Sequence, residues 1–222
     1  MRRFILALVL IISVAFGYSA PSAAETGIHE MLGGSSVTVN YFSREYGDEL
    51  AEYSRENRRM QGVQLVARVL ESSRSALITE TSYAQAGYTL GGRNLKTWVL
   101  DTSAKFVMYK DLNDYVKFFG GPSVGLIRGT SYTADASGNN RTKRNQAELE
   151  WGLNTGFELS QGRLSWTVLG AWNFADEFGN GAEIDNTFNF RVSDKWFIST
   201  GLGYDWNSEA VKFASGVGMH FY

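Results

Sequence analysis

The chain has 222 residues, a formal net charge of −2 and no Cys. That length suits one sizeable domain, and the charge offers no basic excess to a nucleic acid. The lack of Cys excludes a disulfide scaffold, a thiolate metal site and a lipid anchor on Cys.

The N-terminus reads as a targeting segment. "MRR" is a charged start, "FILALVLIISVAFGY" an apolar run, and "SAPSAAE" puts Ser22 and Ala24 at the −3 and −1 positions of a cut before Glu25. Residues 1–24 are therefore expected to be a signal peptide, and 25–34 a short periplasmic segment. The competing reading is a single anchoring helix, against which the short run and Pro21 argue.

From residue 35 onward a period of two recurs. Strands are predicted at 36–46, 61–71, 76–88, 95–109, 115–133, 147–159, 163–175, 183–192, 196–206 and 211–222. In "FFGGPSVG", within the fifth, the Gly pair Gly120–Gly121 and Pro122 predict a bulge or a break. The sixth is the clearest. Ala147, Leu149, Trp151, Leu153, Phe157 and Leu159 share one face, while Glu148, Glu150, Asn154 and Glu158 share the other. "SSR", "SQG" and "SDK" are short links, and "KDLND" is a little longer. "GDELAEYSRENRRM", with a possible short helix, and "DASGNNRTKRN" are long. Links of intermediate length fall near 89–94 and 176–182. Alternating short and long links predict an all-β, up-and-down antiparallel barrel over 35–222 with a plain end and an elaborated end. Ten strands are expected, with eight as the fallback.

The final hairpins allow a register. Pairing Val192 with Trp196 sets Phe190 against Ile198 and Ile184 against Tyr204. Pairing Trp206 with Val211 sets Tyr204 against Phe213 and Asp205 against Lys212.

Alternation does not say which face is outside. A soluble periplasmic barrel of lipocalin type would turn the apolar face inward, around a ligand. Three features favour a transmembrane barrel. All six Trp (Trp98, Trp151, Trp166, Trp172, Trp196, Trp206) fall on the apolar parity, mostly near strand ends, where a membrane interface would take them. Trp196 and Trp206 are ten residues apart. At about 3.3 Å per residue and a tilt of about 40°, that spans roughly 25 Å, the height of an apolar band. The opposite parity carries Glu80, Asp101, Lys105, Glu148, Glu150, Asp185, Arg191, Asp205, Lys212 and His220, which suit a hydrated, ion-paired lumen better than a dry core. Gly201, Gly203, Gly216 and Gly218 on the same side suit a narrow interior.

The closing stretch "GVGMHFY", with Val217, Met219 and Phe221 alternating, resembles the last strand of small Gram-negative outer-membrane β-barrels of the OmpA/OmpX type. In those barrels a terminal Phe is a signal read by the barrel-assembly machinery. The resemblance implies that role for Phe221 and Tyr222, with Tyr222 a departure by one residue. It also implies an outer-membrane location, periplasmic termini, and periplasmic chaperones during biogenesis. It covers the general pattern of 35–222 and no family-specific signature.

Ten strands resemble the omptin proteases in architecture, which use Asp pairs and a His at the outer rim. Here His29 precedes the barrel and His220 lies at the plain end. A lipid A deacylase, needing His and Ser near the outer leaflet, fails for the same reason. "IHEM" lacks the second His of a zinc helix. No enzymatic activity, cofactor or metal is expected. Asp176, Glu177, Glu183, Asp185 and Asp205 gather near one rim, but without tight ligand spacing they read as solvated or paired carboxylates. Arg55, Arg58, Arg59, Arg141, Lys143 and Arg144 lie in the long links and suit phosphate groups of lipopolysaccharide. The expected function is a monomeric structural or surface-interaction barrel that contacts outer-membrane lipid and lipopolysaccharide. The alternative is a narrow pore for ions or small solutes.

Overall fold

The computed structural model describes residues 35–45, 59–72, 74–90, 93–134, 141–174, 181–206 and 209–221. The expected signal peptide, the 25–34 segment and residues 48–58 of the possible 48–60 helix lie outside them, while Arg59 and Met60 of that stretch open a strand. The described residues form ten strands: β1 (Ser35–Glu45), β2 (Arg59–Ser72), β3 (Ser75–Leu90), β4 (Arg93–Asp111), β5 (Val116–Ala134), β6 (Arg141–Gln161), β7 (Leu164–Phe174), β8 (Gly181–Arg191), β9 (Trp196–Asp205) and β10 (Ala210–Phe221). Each pairs antiparallel with the next, and β1 pairs with β10 from Ser35↔Phe221 to Glu45↔Val211, closing the barrel. Ten strands, not eight, is the count.

Local chemistry sets the short turns. Asn113 Oδ1 accepts bonds from the backbone N–H groups of Tyr115 and Val116, both at 2.9 Å, which folds the β4–β5 turn. Gly162, at φ +60°, supplies the left-handed residue between β6 and β7. Ser193 Oγ accepts the Trp196 N–H at 3.2 Å before β9.

Three expectations are corrected. β5 is one unbroken strand. Its ladder with β4 keeps a constant register and only omits the pairs between Lys105↔Ser123 and Met108↔Gly120. Pro122 has no N–H to give there, and Gly121 lies so close to Phe106 that a Cβ would come within 2.0 Å of its carbonyl oxygen. The register shift falls instead between Leu70 and Ser72. β6 begins at Arg141, earlier than expected, so Arg141, Lys143 and Arg144 belong to a strand rather than a loop. The β9–β10 register is displaced by two residues: Val211 pairs with Tyr204, Phe213 with Leu202 and Lys212 with Gly203. A shift of two leaves every side chain on its own face, so alternation does not distinguish the two registers. The β8–β9 pairs Phe190↔Ile198 and Ile184↔Tyr204 are as expected.

The apolar face points outward. Leu149 is 67 %, Trp151 60 % and Leu153 54 % exposed, whereas neighbouring Asn154 is 4 % exposed. The lumen holds two apolar clusters. Phe42, Met60 and Ala84 lie toward the long-link end; Ala76, Val107, Tyr109 and Phe119 lie toward the short-turn end. Gly218 seats the Phe197 ring, since a Cβ there would come within 2.1 Å of it.

The strands differ in reach. β5 and β6 have 19 and 21 residues, β7 and β8 only 11 each. β6 meets β7 only from Trp151↔Phe174 downward, so its first turn-distal half rises past the β7 end alongside β5.

Two outcomes follow from a closed barrel with its apolar face outward. Unboiled protein should migrate differently from boiled protein on SDS gels, and no shift would contradict the closed sheet. Leu153→Arg should cost about 2–4 kcal/mol in urea titrations of protein in lipid vesicles, while Thr187→Arg, on the cavity side, should cost clearly less. Equal losses would mean the faces are assigned wrongly.

Candidate functional site

Two regions bring functional side chains together: the lumen and the outer face of the β4–β6 strands.

In the lumen a polar chain crosses four strands. Asn40 Nδ2 donates to Gln64 Oε1 at 2.9 Å, and Gln64 Nε2 donates to Glu80 Oε1 at 2.7 Å. Lys105 Nζ reaches Glu80 Oε2 at 3.3 Å. On the β8–β1 wall Lys212 of β10 pairs with Glu183 of β8, and Arg44 of β1 pairs with Asp205 of β9. The expected Asp205–Lys212 pair is thus replaced by two others, because the two-residue shift moves Lys212 away from Asp205. Alternation also selects Asp101, Glu150 and Asp185 for the lumen. They make no hydrogen bond or ion pair among the described residues.

Nearer the short turns, Arg68 and Glu158 form a bidentate pair, with contacts of 2.9 and 3.4 Å. The Arg68 guanidinium also lies 5.1 Å from the centre of the Tyr109 ring. His220 packs against Phe197 with ring centres 4.7 Å apart. Arg191 ends β8 at the same level of the ladder, opposite Phe197. A cavity of about 250 Å³ runs between these layers, lined by Asn40, Asp101, Lys105, Asp185, Ser199 and Lys212 among others. Arg44, Arg68, Glu158 and Glu183 were not singled out as lumen charges from sequence. Parity carries the signal for each, but their partners come from strands far apart in the chain.

On the outer face, Arg128 stands two residues beyond exposed Leu126 and pairs with Ala147 and Leu100. Lys96 is exposed on the same parity of β4 as Trp98 and Leu100. Farther along the hairpin the register sets Lys143 opposite Tyr132 and Arg141 opposite Ala134, on the parity of Leu149 and Trp151. Arg144 falls on the other parity, opposite Ser131. Arg59 opens β2, exposed, and its Nε donates to Ser43 Oγ at 2.8 Å. Arg55, Arg58, Asp176 and Glu177 lie outside the described residues. Lys96 and Arg128 extend the basic set beyond the sequence expectation; alternation beside Trp98 and Leu126 was the signal for them.

Trp151, Trp172, Trp196 and Trp206 are exposed, while Trp98 and Trp166 are half-buried and stack on Tyr83 and Phe188 at 6.5 and 5.7 Å. Phe221 ends β10 opposite Ser35, and Tyr222 lies outside the described residues. Glu148 is buried on the lumen side. Among the described residues no three His, Asp or Glu side chains form a group able to hold a metal ion.

No family model and no curated protein sequence matches the chain. Among solved structures, the β domain of the Bordetella autotransporter BrkA aligns at 9 % identity with a TM-score of 0.51, covering 85 % of this chain and 99 % of that one. The chain has the fold of an outer-membrane β-barrel. Ail of Yersinia pestis aligns at 13 % identity, with a TM-score of 0.40 and the same coverages. The N-terminal barrel domain of Pseudomonas aeruginosa OprF aligns at 12 % identity with a TM-score of 0.38, again over 85 % and 99 %. In this outer-membrane-type barrel the lumen pairs are what the fold adds to its hydrogen-bonded wall.

Breaking a buried pair leaves one charge uncompensated. Glu158→Ala should therefore destabilise the barrel by about 3–5 kcal/mol in denaturant titration, and the double change with Arg68→Met should recover much of that loss. A double variant no better than the single one would show that the pair is not the unit.

Proposed function

We propose that this barrel lies in the outer membrane of a Gram-negative bacterium, long links outward and termini in the periplasm. Its role there is non-enzymatic, and its basic outer face holds lipopolysaccharide. One observation carries the reading: exposed Lys96 and Arg128 stand just beyond the apolar band on the lipid-facing parity, and the register places Lys143 and Arg141 farther along the same strand pair. Lipopolysaccharide in the outer leaflet presents phosphates at the top of its acyl layer. Cations on the outer wall at that height make charge-assisted contacts without leaving the lipid boundary. Exposed Trp151, Trp172 and Trp206, all toward the long-link end, support the same depth. Phe221 and Tyr222 would serve the assembly machinery during insertion, with periplasmic chaperones holding the unfolded chain.

A second reading, a narrow ion pore, has the charged cavity in its favour. Ten-strand barrels are close to the size that side chains fill, so any conductance would be small.

The test of the first reading is binding of purified lipopolysaccharide to detergent-solubilised protein, followed by native mass spectrometry. Replacing Lys96, Arg128 and Lys143 together with Gln should weaken binding at least about tenfold, since each lost charge-assisted contact is worth about 1.5 kcal/mol or more. Unchanged affinity, or equal loss for phosphatidylethanolamine, would overturn the phosphate assignment.

A further inference from the structure

The lumen charges are sorted along the barrel axis. In the half toward the long links, the carboxylates Glu80, Asp101, Glu150, Glu183, Asp185 and Asp205 outnumber the cations Arg44, Lys105 and Lys212. Toward the short turns the cations Arg68, Lys117 and Arg191 outnumber the carboxylates Glu158 and Asp111, with His220 beside them. The two halves thus carry opposite excess charge in series.

One cavity is lined by residues of both halves, from Arg44 to Arg68 and Glu158. The apolar clusters crowd the β1–β5 side through Phe42, Met60, Val107 and Phe119. The β8–β10 side of the cavity is lined mostly by small or polar residues, among them Thr187, Ser199, Gly201, Gly203 and Ala214, with Phe197 at its short-turn end. Asp101 and Asp185 border the cavity with no hydrogen bond or ion pair among the described residues. Asn40, 6 % exposed, lines the same space, and its Oδ1 has no hydrogen-bond partner there. A dry site would not leave two carboxylates and a carbonyl oxygen unanswered; a path for hydrated cations would use all three.

We propose that the lumen is a bipolar ion path that admits small cations at the long-link end and small anions at the other, and so rectifies current. This rests on the pore reading. The acidic half draws cations from its mouth, and the basic half draws anions from the other. When the long-link side is positive, both ion types are driven toward the junction and accumulate there, so conductance is high. With the opposite sign both are driven away, the junction is depleted, and conductance falls.

The experiment is single-channel recording of the full barrel in planar bilayers with the same KCl solution on both sides. Orientation is fixed by Ser193→Cys at a short turn, in a chain that has no other Cys, labelled from one chamber with a membrane-impermeant maleimide. The expected result is a severalfold larger current with the long-link side positive. Asp101→Asn with Asp185→Asn, which are close in size and break no ion pair, should flatten the current–voltage curve. Arg191→Gln should flatten it from the other side. Retention of the heat-dependent gel shift shows that each variant is folded. Steady but symmetric currents would overturn the bipolar path and leave the pore. Rectification unaltered by all three substitutions would overturn the charge assignment. Absence of any conductance would overturn the pore and this proposal together, leaving the lipopolysaccharide reading standing.

Discussion

A polypeptide in lipid has no water to satisfy its backbone, and an unpaired N–H or C=O there costs several kcal/mol. The β1–β10 ladder answers that constraint: eleven successive pairs, from Ser35↔Phe221 to Glu45↔Val211, leave neither strand with an open edge. Everything else in the molecule is arranged around this closure. Closure fixes an inside and an outside, so the period-two alternation of each strand becomes a division between lipid and lumen. It also brings the first strand beside the last, so Arg44 of β1 reaches Asp205 of β9.

The lumen is consequently a place where charge is tolerated only in company. Arg68 of β2 and Glu158 of β6 meet across the barrel over three intervening strands, and both are largely withdrawn from solvent. Glu80 is held at once by Gln64 and Lys105. The Arg68–Glu158 pair ties walls across the lumen, and the Glu80 contacts tie neighbouring strands, in a structure whose apolar clusters among the described residues are two small ones. The glycines have a matching role at Gly218, where the absence of a Cβ makes room for Phe197. Narrowness and polarity are therefore compatible, and the space left over follows the small-residue wall of β8–β10.

The outer surface obeys a different rule. Along β4–β6 the exposed apolar residues give way to Lys96 and Arg128 where the strands run on past their shorter neighbours. That change of chemistry on a single continuous face is what connects the uneven strand lengths to the proposed lipid headgroup contact. Had the basic residues been confined to links between strands, they would carry no statement of depth. In a strand, depth follows from register.

Much of the architecture was legible in the sequence because a strand sorts its residues by parity with no long-range information. Leu149, Trp151 and Leu153 declare one face, and Glu148, Glu150 and Asn154 the other. Ten alternating segments and their short turns give an up-and-down barrel, and the Trp and charge distribution says which face meets lipid. What parity does not hold is anything that an even shift preserves. The β9–β10 pairing slid by two residues with every side chain still on its proper face, so the partner of Lys212 became Glu183 and that of Asp205 became Arg44. Likewise, the early start of β6 depends on β5 offering a partner for Arg141 through Asn145, which that stretch's own composition does not announce. The sequence alone determined the fold class, the two faces and the residue types on each. Which charges pair, how far each strand extends and where the cavity runs were decided only in the tertiary structure, because those depend on distances across a closed sheet between residues remote in the chain.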